Sequence, residues 1–263
     1  MRIGDERVKT KAINLIVAGA FCLDDDTIWL MDQSPVAIVT GAGRGIGRAT
    51  AIQLAKVGYR LVLLARTESD LDQTAQLLGA ELCIILPTDV ANSRMVDAAV
   101  TQAVERFGRL DAVINCAGHA PMLLVEEVTD DLWREVVDIN LSSALYLCRA
   151  AWPIFKRQHS GAVVLVSSEA ARDPFPGFSA YGAAKAALNS LGLSLSREGA
   201  DIGVHVHVVA PAATETAMLR ELFSVDQFPT EKTLAPEDVA RVIASCVKGD
   251  LIHCSGETIY LHK

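Results

Sequence analysis

The chain reads as an α/β protein, a doubly wound parallel sheet of seven strands with helices on both faces. Three observations predict this. Short, almost wholly apolar runs recur along the chain, as strands buried on both faces require. Stretches with apolar residues at helical spacing separate them. A glycine-rich turn follows the first apolar run, where such sheets pass from strand to helix. The 263 residues, 51% of them hydrophobic, suffice for one large core.

The elements follow in order. VAIVT, from Val36 to Thr40, is the first strand, and RATAIQLAKVG is a helix with Gly58 just past its end. RLVLLA, ELCIIL and LDAVIN are strands, with the helices ESDLDQTAQLLG and SRMVDAAVTQAVERFG between them. One long helix is expected from about Asp130 to Arg157, with Pro153 bending it or ending it early. The strand AVVLVS, a helix from about Ser179 to Gly199 and the strand GVHVHVV come next, then the helix PEDVARVIASCV and the strand ETIYLH. No linker or repeat divides this run, which predicts a single domain over residues 35–263.

Residues 1–34 differ from the rest. They begin with charges, run apolar from Ala12 to Leu23 and then meet Asp24, Asp25 and Asp26. The apolar run is too short to span a bilayer. It resembles a weak signal peptide with Ala18-Gly19-Ala20 as a cleavage site. The favoured expectation is an extension outside the fold, or a start assigned too early.

Composition narrows the partners. The net charge is −8 and no strongly basic stretch occurs, which argues against nucleic acid. No membrane partner is expected. The six cysteines are scattered without a Cys-x-x-Cys pair, so free thiols in a reducing, cytoplasmic compartment are expected. His205 and His207 would share one face of a strand. Further ligands at suitable spacing are missing from the sequence, so the pair reads as structural and no metal site is expected.

TGAGRGIG, from Thr40 to Gly47, lies between the first strand and the first helix. Glycines there allow close approach of a pyrophosphate, and the helix start offers free N–H groups. The spacing is G-x-x-x-G-x-G through Gly41, Gly45 and Gly47, because Ile46 stands where G-x-G-x-x-G would need glycine. At the end of the second strand an NAD site usually carries an acid. Here Ala65 and Arg66 stand there, and Arg44 lies in the loop. Two cations and no carboxylate suit a 2′-phosphate, favouring NADP(H) over NAD(H). The plainer alternative for Arg66 is a solvated surface residue.

Tyr181 and Lys185 lie four residues apart in SAYGAAKAAL, on one helix face whatever their purpose. Together with the loop, Asp89 in TDV, NCAG at 115–118, Asn140 in DIN and Ser168 ending VSS, they give the chain a specific resemblance. From about residue 36 to 263 it resembles a short-chain dehydrogenase/reductase of the short, single-domain branch, akin to 3-oxoacyl carrier-protein reductases. The resemblance implies a Rossmann-type fold and a catalytic tetrad of Asn140, Ser168, Tyr181 and Lys185. It also implies dinucleotide contacts from Ile46, Asp89, Val90, Asn115, Ala117 and Gly118, and from Pro211, Thr216, Tyr181 and Lys185. Read from its residues alone, Asp89 suits a helix start and Asn140 an ordinary helical position. A phenol of ordinary pKa about 10 donates a proton as charge builds on a carbonyl oxygen. The implied reaction is carbonyl–alcohol interconversion by hydride transfer, and the implied assembly is a homodimer or homotetramer.

The substrate is less legible. Ala212 replaces the glycine common after Pro211 in the family, and the segment from Ala217 to Pro236 is short for a lid, which predicts a small or open pocket. His119, Phe175 and Phe178 are candidate pocket residues. One reading is a 3-oxoacyl thioester reductase docking an acidic carrier protein on Lys156, Arg157 and Arg197. The second is a general carbonyl or polyol reductase for small molecules. A third, more remote, is a dinucleotide-binding sensor without chemistry.

Overall fold

The computed structural model describes residues 34–263; the expectations for residues 1–33 lie outside that range. The seven strands are β1 (Val36–Thr40), β2 (Arg60–Ala65), β3 (Cys83–Pro87), β4 (Ala112–Asn115), β5 (Gly161–Val166), β6 (Val204–Pro211) and β7 (Thr258–Leu261). All neighbours pair in parallel, in the order β3-β2-β1-β4-β5-β6-β7.

Alternation along each strand explains why the runs are apolar throughout. Val36 and Ile38 face one core with Val62, Leu64, Val163 and Val206. Ala37 and Val39 face the other with Leu61, Leu63, Ile114 and Val164. The first core is closed by α3 (Ser93–Phe107), α5 (Ser143–Gln158) and α6 (Ser179–Gly199). The second is closed by α1 (Gly45–Lys56), α2 (Glu68–Leu78) and α8 (Pro236–Lys248). Successive side chains point to opposite faces, so a strand covered on both sides is apolar at nearly every position, and the buried exceptions Thr40, Asn115 and His207 are hydrogen-bonded.

The expected long helix is not continuous. It consists of α4 (Asp130–Val137), one turn of π-helix at Asp138–Ser142, and α5. Pro153 neither ends α5 nor shortens it; the helix runs on to Gln158. Both Pro153 and Arg149, whose carbonyl loses its N–H partner, lie on the exposed side. Asp89 does not start a helix. Its Oδ1 accepts from Ala91 N at 3.1 Å in the preceding turn, and Asn92 caps α3 by accepting from Arg94 N and Met95 N. His207 is buried, with its Nε2 2.8 Å from the Leu251 carbonyl.

The strand order reverses between β1 and β4, where two connections leave in opposite directions. Thr40 holds that seam. Its Oγ1 donates to Asn115 Oδ1 at 3.0 Å and accepts from Ala117 N at 3.0 Å. Thr40→Val strands both partners in a buried setting, and the expected loss is about 2 kcal/mol. Urea unfolding would measure it; Thr40→Ser should recover most of the loss.

Candidate active site

The glycine loop is shaped by its own packing. Gly41 has φ +63°, and a Cβ there would lie 3.1 Å from the Ala117 backbone. A Cβ on Gly47 would lie 2.2 Å from the Gly41 carbonyl oxygen. The loop therefore folds onto itself and onto the end of β4 only with glycine at both places. Arg48, which sequence reading passed over as a helix residue, anchors it from outside. Its Nη2 donates to the Gly43 carbonyl, and its Nε to Thr74 Oγ1 at 3.1 Å. Thr74 in turn donates to the Ala42 carbonyl at 2.9 Å. The signal for these two residues is tertiary, because α2 meets the loop only in the folded sheet.

The α1 N-terminus behind this loop has no side-chain cap and no acid in its first turn. Thr216 stands over Gly45, whose added Cβ would meet Thr216 Cγ2 at 3.1 Å. Arg44 is exposed and 3.6 Å from Glu221, a pair worth less than about 1 kcal/mol and readily exchanged for a ligand anion. Ala65 and exposed Arg66 end β2 beside the loop. Asp89 is exposed after β3 and Val90 buried beneath it. Uncapped N–H groups, a tight glycine turn and no nearby acid on α1 fit the diphosphate of a dinucleotide.

Asn140, Ser168, Tyr181 and Lys185 come from three different stretches of chain. The π turn directs Asn140 inward, fully buried, where its Nδ2 donates to the His119 carbonyl at 2.7 Å and to Val136 O at 2.9 Å. His119 N returns a bond to Asn140 Oδ1 at 3.2 Å. An added Cβ on Gly118 would lie 3.2 Å from Asn140 Oδ1 and 3.8 Å from Lys185 Nζ, so the three residues converge. Lys185 Nζ donates to the Val166 carbonyl at 2.8 Å and lies 5.6 Å from the centre of the Tyr181 ring. Ser168 Oγ, just past β5, accepts from Ala170 N at 3.1 Å, which leaves its proton available to donate.

Burial pushes the Tyr181 phenol above its usual value, and the Ser168 hydroxyl opposes this in part. Burial brings Lys185 down to about 8, against a weaker opposing pull from Cys116.

Ser168, Tyr181 and Lys185 line a cavity of about 270 Å³, together with Ile46, Gly118, Pro211 and Thr216. Phe175, Phe178, Phe223 and Phe228 line it too. Phe175 and Phe178 are where the sequence suggested. His119 is not in the lining; its ring points to Glu135, 3.9 Å away. Phe223 and Phe228 were not singled out in sequence, since nothing local distinguishes them from ordinary loop residues. They follow α7 (Ala217–Leu222), so the short segment does build a wall.

The three candidate docking cations lie elsewhere. Lys156 and Arg157 end α5 just before β5, and Arg197 ends α6 just before β6. That is the amino edge of the sheet. Along α6, Arg197 is about 24 Å from Tyr181 at roughly 1.5 Å per residue.

With the site in place, the relatives can be compared. A family model for short chain dehydrogenase matches residues 35–227. An uncharacterised oxidoreductase of Staphylococcus aureus (strain USA300) is 35% identical over 211 residues, covering 79% of this chain and 88% of its own. Levodione reductase superimposes with TM-score 0.81 and 25% identity, covering 87% of this chain and 96% of that one. A 3-ketoacyl-(acyl-carrier-protein) reductase from Brucella melitensis, complexed with NADH, gives TM-score 0.81 and 26% identity over 86% and 96% of the two chains. The chain belongs to the short-chain dehydrogenase family. It is an oxidoreductase of a fold that binds a nicotinamide dinucleotide.

Lys185 has a folded pKa below its ordinary 10.5, so its charge destabilises the unliganded fold. That cost is full below about pH 8 and vanishes as pH rises toward the unfolded value. Lys185→Met is therefore expected to be more stable relative to wild type at pH 7 than near pH 10. Urea midpoints at both pH values would test this; a difference between mutant and wild type that is the same at the two would contradict it.

Proposed function

We propose that the protein is an NADP(H)-dependent oxidoreductase that interconverts a carbonyl and a secondary alcohol. The observation that carries this reading is the convergence of Ser168, Tyr181 and Lys185 on one cavity that Ile46, in the first turn of α1 behind the glycine loop, and Thr216 also line. When bound, the dinucleotide supplies or accepts the hydride. Tyr181, kept neutral by burial, is the proton donor to the carbonyl oxygen as charge develops there. Ser168 donates a hydrogen bond to the same oxygen. Lys185, charged below about pH 8, favours the phenolate left after proton transfer. Asn140 fixes the His119 carbonyl and the segment beside Lys185. A phenol held above its usual pKa stays protonated at neutral pH and gives up its proton only as negative charge builds on the substrate oxygen.

Gly41, Gly45, Ile46 and Gly47 would cradle the dinucleotide, with Asp89 and Val90 at the adenine side and Asn115, Ala117 and Gly118 alongside. Pro211 and Thr216 would face the nicotinamide. Arg66 and Arg44 would take the 2′-phosphate, which supports NADP(H) over NAD(H). The far position of Lys156, Arg157 and Arg197 weighs against carrier-protein docking there and favours a free small molecule. A homodimer or homotetramer through α5 and α6 is compatible with the exposed Ala183, Ala186 and Ala187 on α6. Among the described residues no helix is long and apolar enough to cross a membrane.

Tyr181→Phe should lower kcat by at least about a thousandfold while NADPH binding, read by fluorescence, stays within about twofold. Near-normal turnover would refute its role as acid. Ala65→Asp with Arg66→Ile should move the ratio of kcat/KM for NADPH over NADH toward NADH by at least tenfold. An unchanged ratio would sink the NADP assignment.

A further inference from the structure

The substrate side of the cavity has a specific character. An unbroken row of rings runs along it. Tyr181 and Phe178 lie 5.5 Å apart between centroids, Phe178 and Phe175 6.1 Å, Phe175 and Phe223 6.0 Å, and Phe223 and Phe228 6.2 Å. Met218 and Leu222 fill the gaps between them. Phe175 stays half exposed among the described residues.

The far half of this wall is clamped. Arg220 makes a fork to Glu215, through Nε to Oε1 at 2.6 Å and Nη2 to Oε2, and donates from Nη1 to the Phe228 carbonyl at 2.8 Å. Thr233 Oγ1 donates to the same Glu215 at 3.2 Å. Phe228 is thus held through its carbonyl, while Phe223 N donates to the Leu219 carbonyl at 2.8 Å at the end of α7 and its ring packs on Phe228.

The charges at the lining point the same way. Among the described lining residues the one cation is Lys185, which is spent on Val166 and the Tyr181 side. The lining acids are Glu169 and Asp173. Arg172 pairs with Glu169 at 2.8 Å and lies against the Tyr260 ring, so it neutralises one of the two carboxylates and leaves the mouth acidic.

We propose that this site takes uncharged ketones bearing a bulky aromatic or alicyclic group, that Phe223 and Phe228 set this preference, and that carboxylate-bearing ketones are rejected. The proposal rests on the carbonyl-reductase reading. In the reaction, the carbonyl carbon gains a hydride from reduced dinucleotide and its oxygen gains the Tyr181 proton. The products are a secondary alcohol, oxidised dinucleotide and the Tyr181 phenolate, which takes a proton back from solvent. An aromatic wall rewards apolar bulk, and a carboxylate there would lose its hydration without gaining a cation.

Three probes test it with NADPH and with NADH: 1-phenylpropane-1,2-dione, its para-carboxylate, and butane-2,3-dione. The phenyl compound should exceed each of the others at least tenfold in kcat/KM. Phe223→Ala should reduce the phenyl-to-methyl preference about tenfold, and Phe223→Leu by less, with urea midpoints confirming that both variants fold. Asp173→Asn should narrow the gap between the phenyl compound and its carboxylate about twofold. A carboxylate turned over as well as its parent, or a preference unmoved in Phe223→Ala, overturns the substrate class while leaving the reductase standing. Inertness of the wild type toward all three probes, with dinucleotide binding intact, defeats the carbonyl-reductase reading and this proposal with it.

Discussion

The seam between β1 and β4 is the constraint on which the site depends. Both faces of the sheet are sealed by helices, so ligands are left only the edge where the strands end. At that edge the chain departs in two directions, and the gap must be held open yet in register. The ladder from Ala37–Ala112 to Thr40–Asn115 sets the register, and the Thr40 hydroxyl ties its end to the Asn115 side chain and to the start of the segment that carries Gly118. The glycine loop leaves on one side of this bond and the Asn140–Lys185 cluster gathers on the other. If the seam slipped, the two halves of the site would separate.

The arrangement carries a cost in stability. Lys185, Asn140 and Asn115 are all buried, and Asn115 Nδ2 has no partner among the described residues. A protein can keep such groups only if the rest of its interior is well packed and apolar. The two cores supply that packing, with nearly all residues of β1, β4, β5 and β6 and the middle of β2 excluded from water. Burial is also what shifts Lys185 from its ordinary behaviour.

Much of this was legible in the sequence. All seven strands fall where apolar runs predicted them, because burial on both faces imposes a pattern that no other element shares. Gly41, Gly45 and Gly47 were visible because only glycine suits that turn, and Tyr181 and Lys185 because a four-residue spacing shares a helix face. What escaped was set by contacts between distant segments. Arg48 and Thr74 look like ordinary helix residues until α2 is laid against the loop. Phe223 and Phe228 sit in a stretch without periodicity. The π turn leaves no trace in hydrophobic spacing, so α4 and α5 read as one helix. Lys156, Arg157 and Arg197 look like a cluster in a list of cations, yet helix length carries them to the opposite edge.

The π turn has a consequence of a different kind. It adds one residue between two helices that each hold a fixed partner: Val136 of α4 lies against Ala180 and Ala184, while Leu147 and Cys148 of α5 lie against the sheet. Removing one residue from Asp138–Ser142 would restore regular helix and rotate the two parts by about 100° relative to each other. One of the two contacts would then have to break. Chain length through this turn is thus part of the design of the site. A residue count, rather than any particular side chain, keeps Asn140 facing inward.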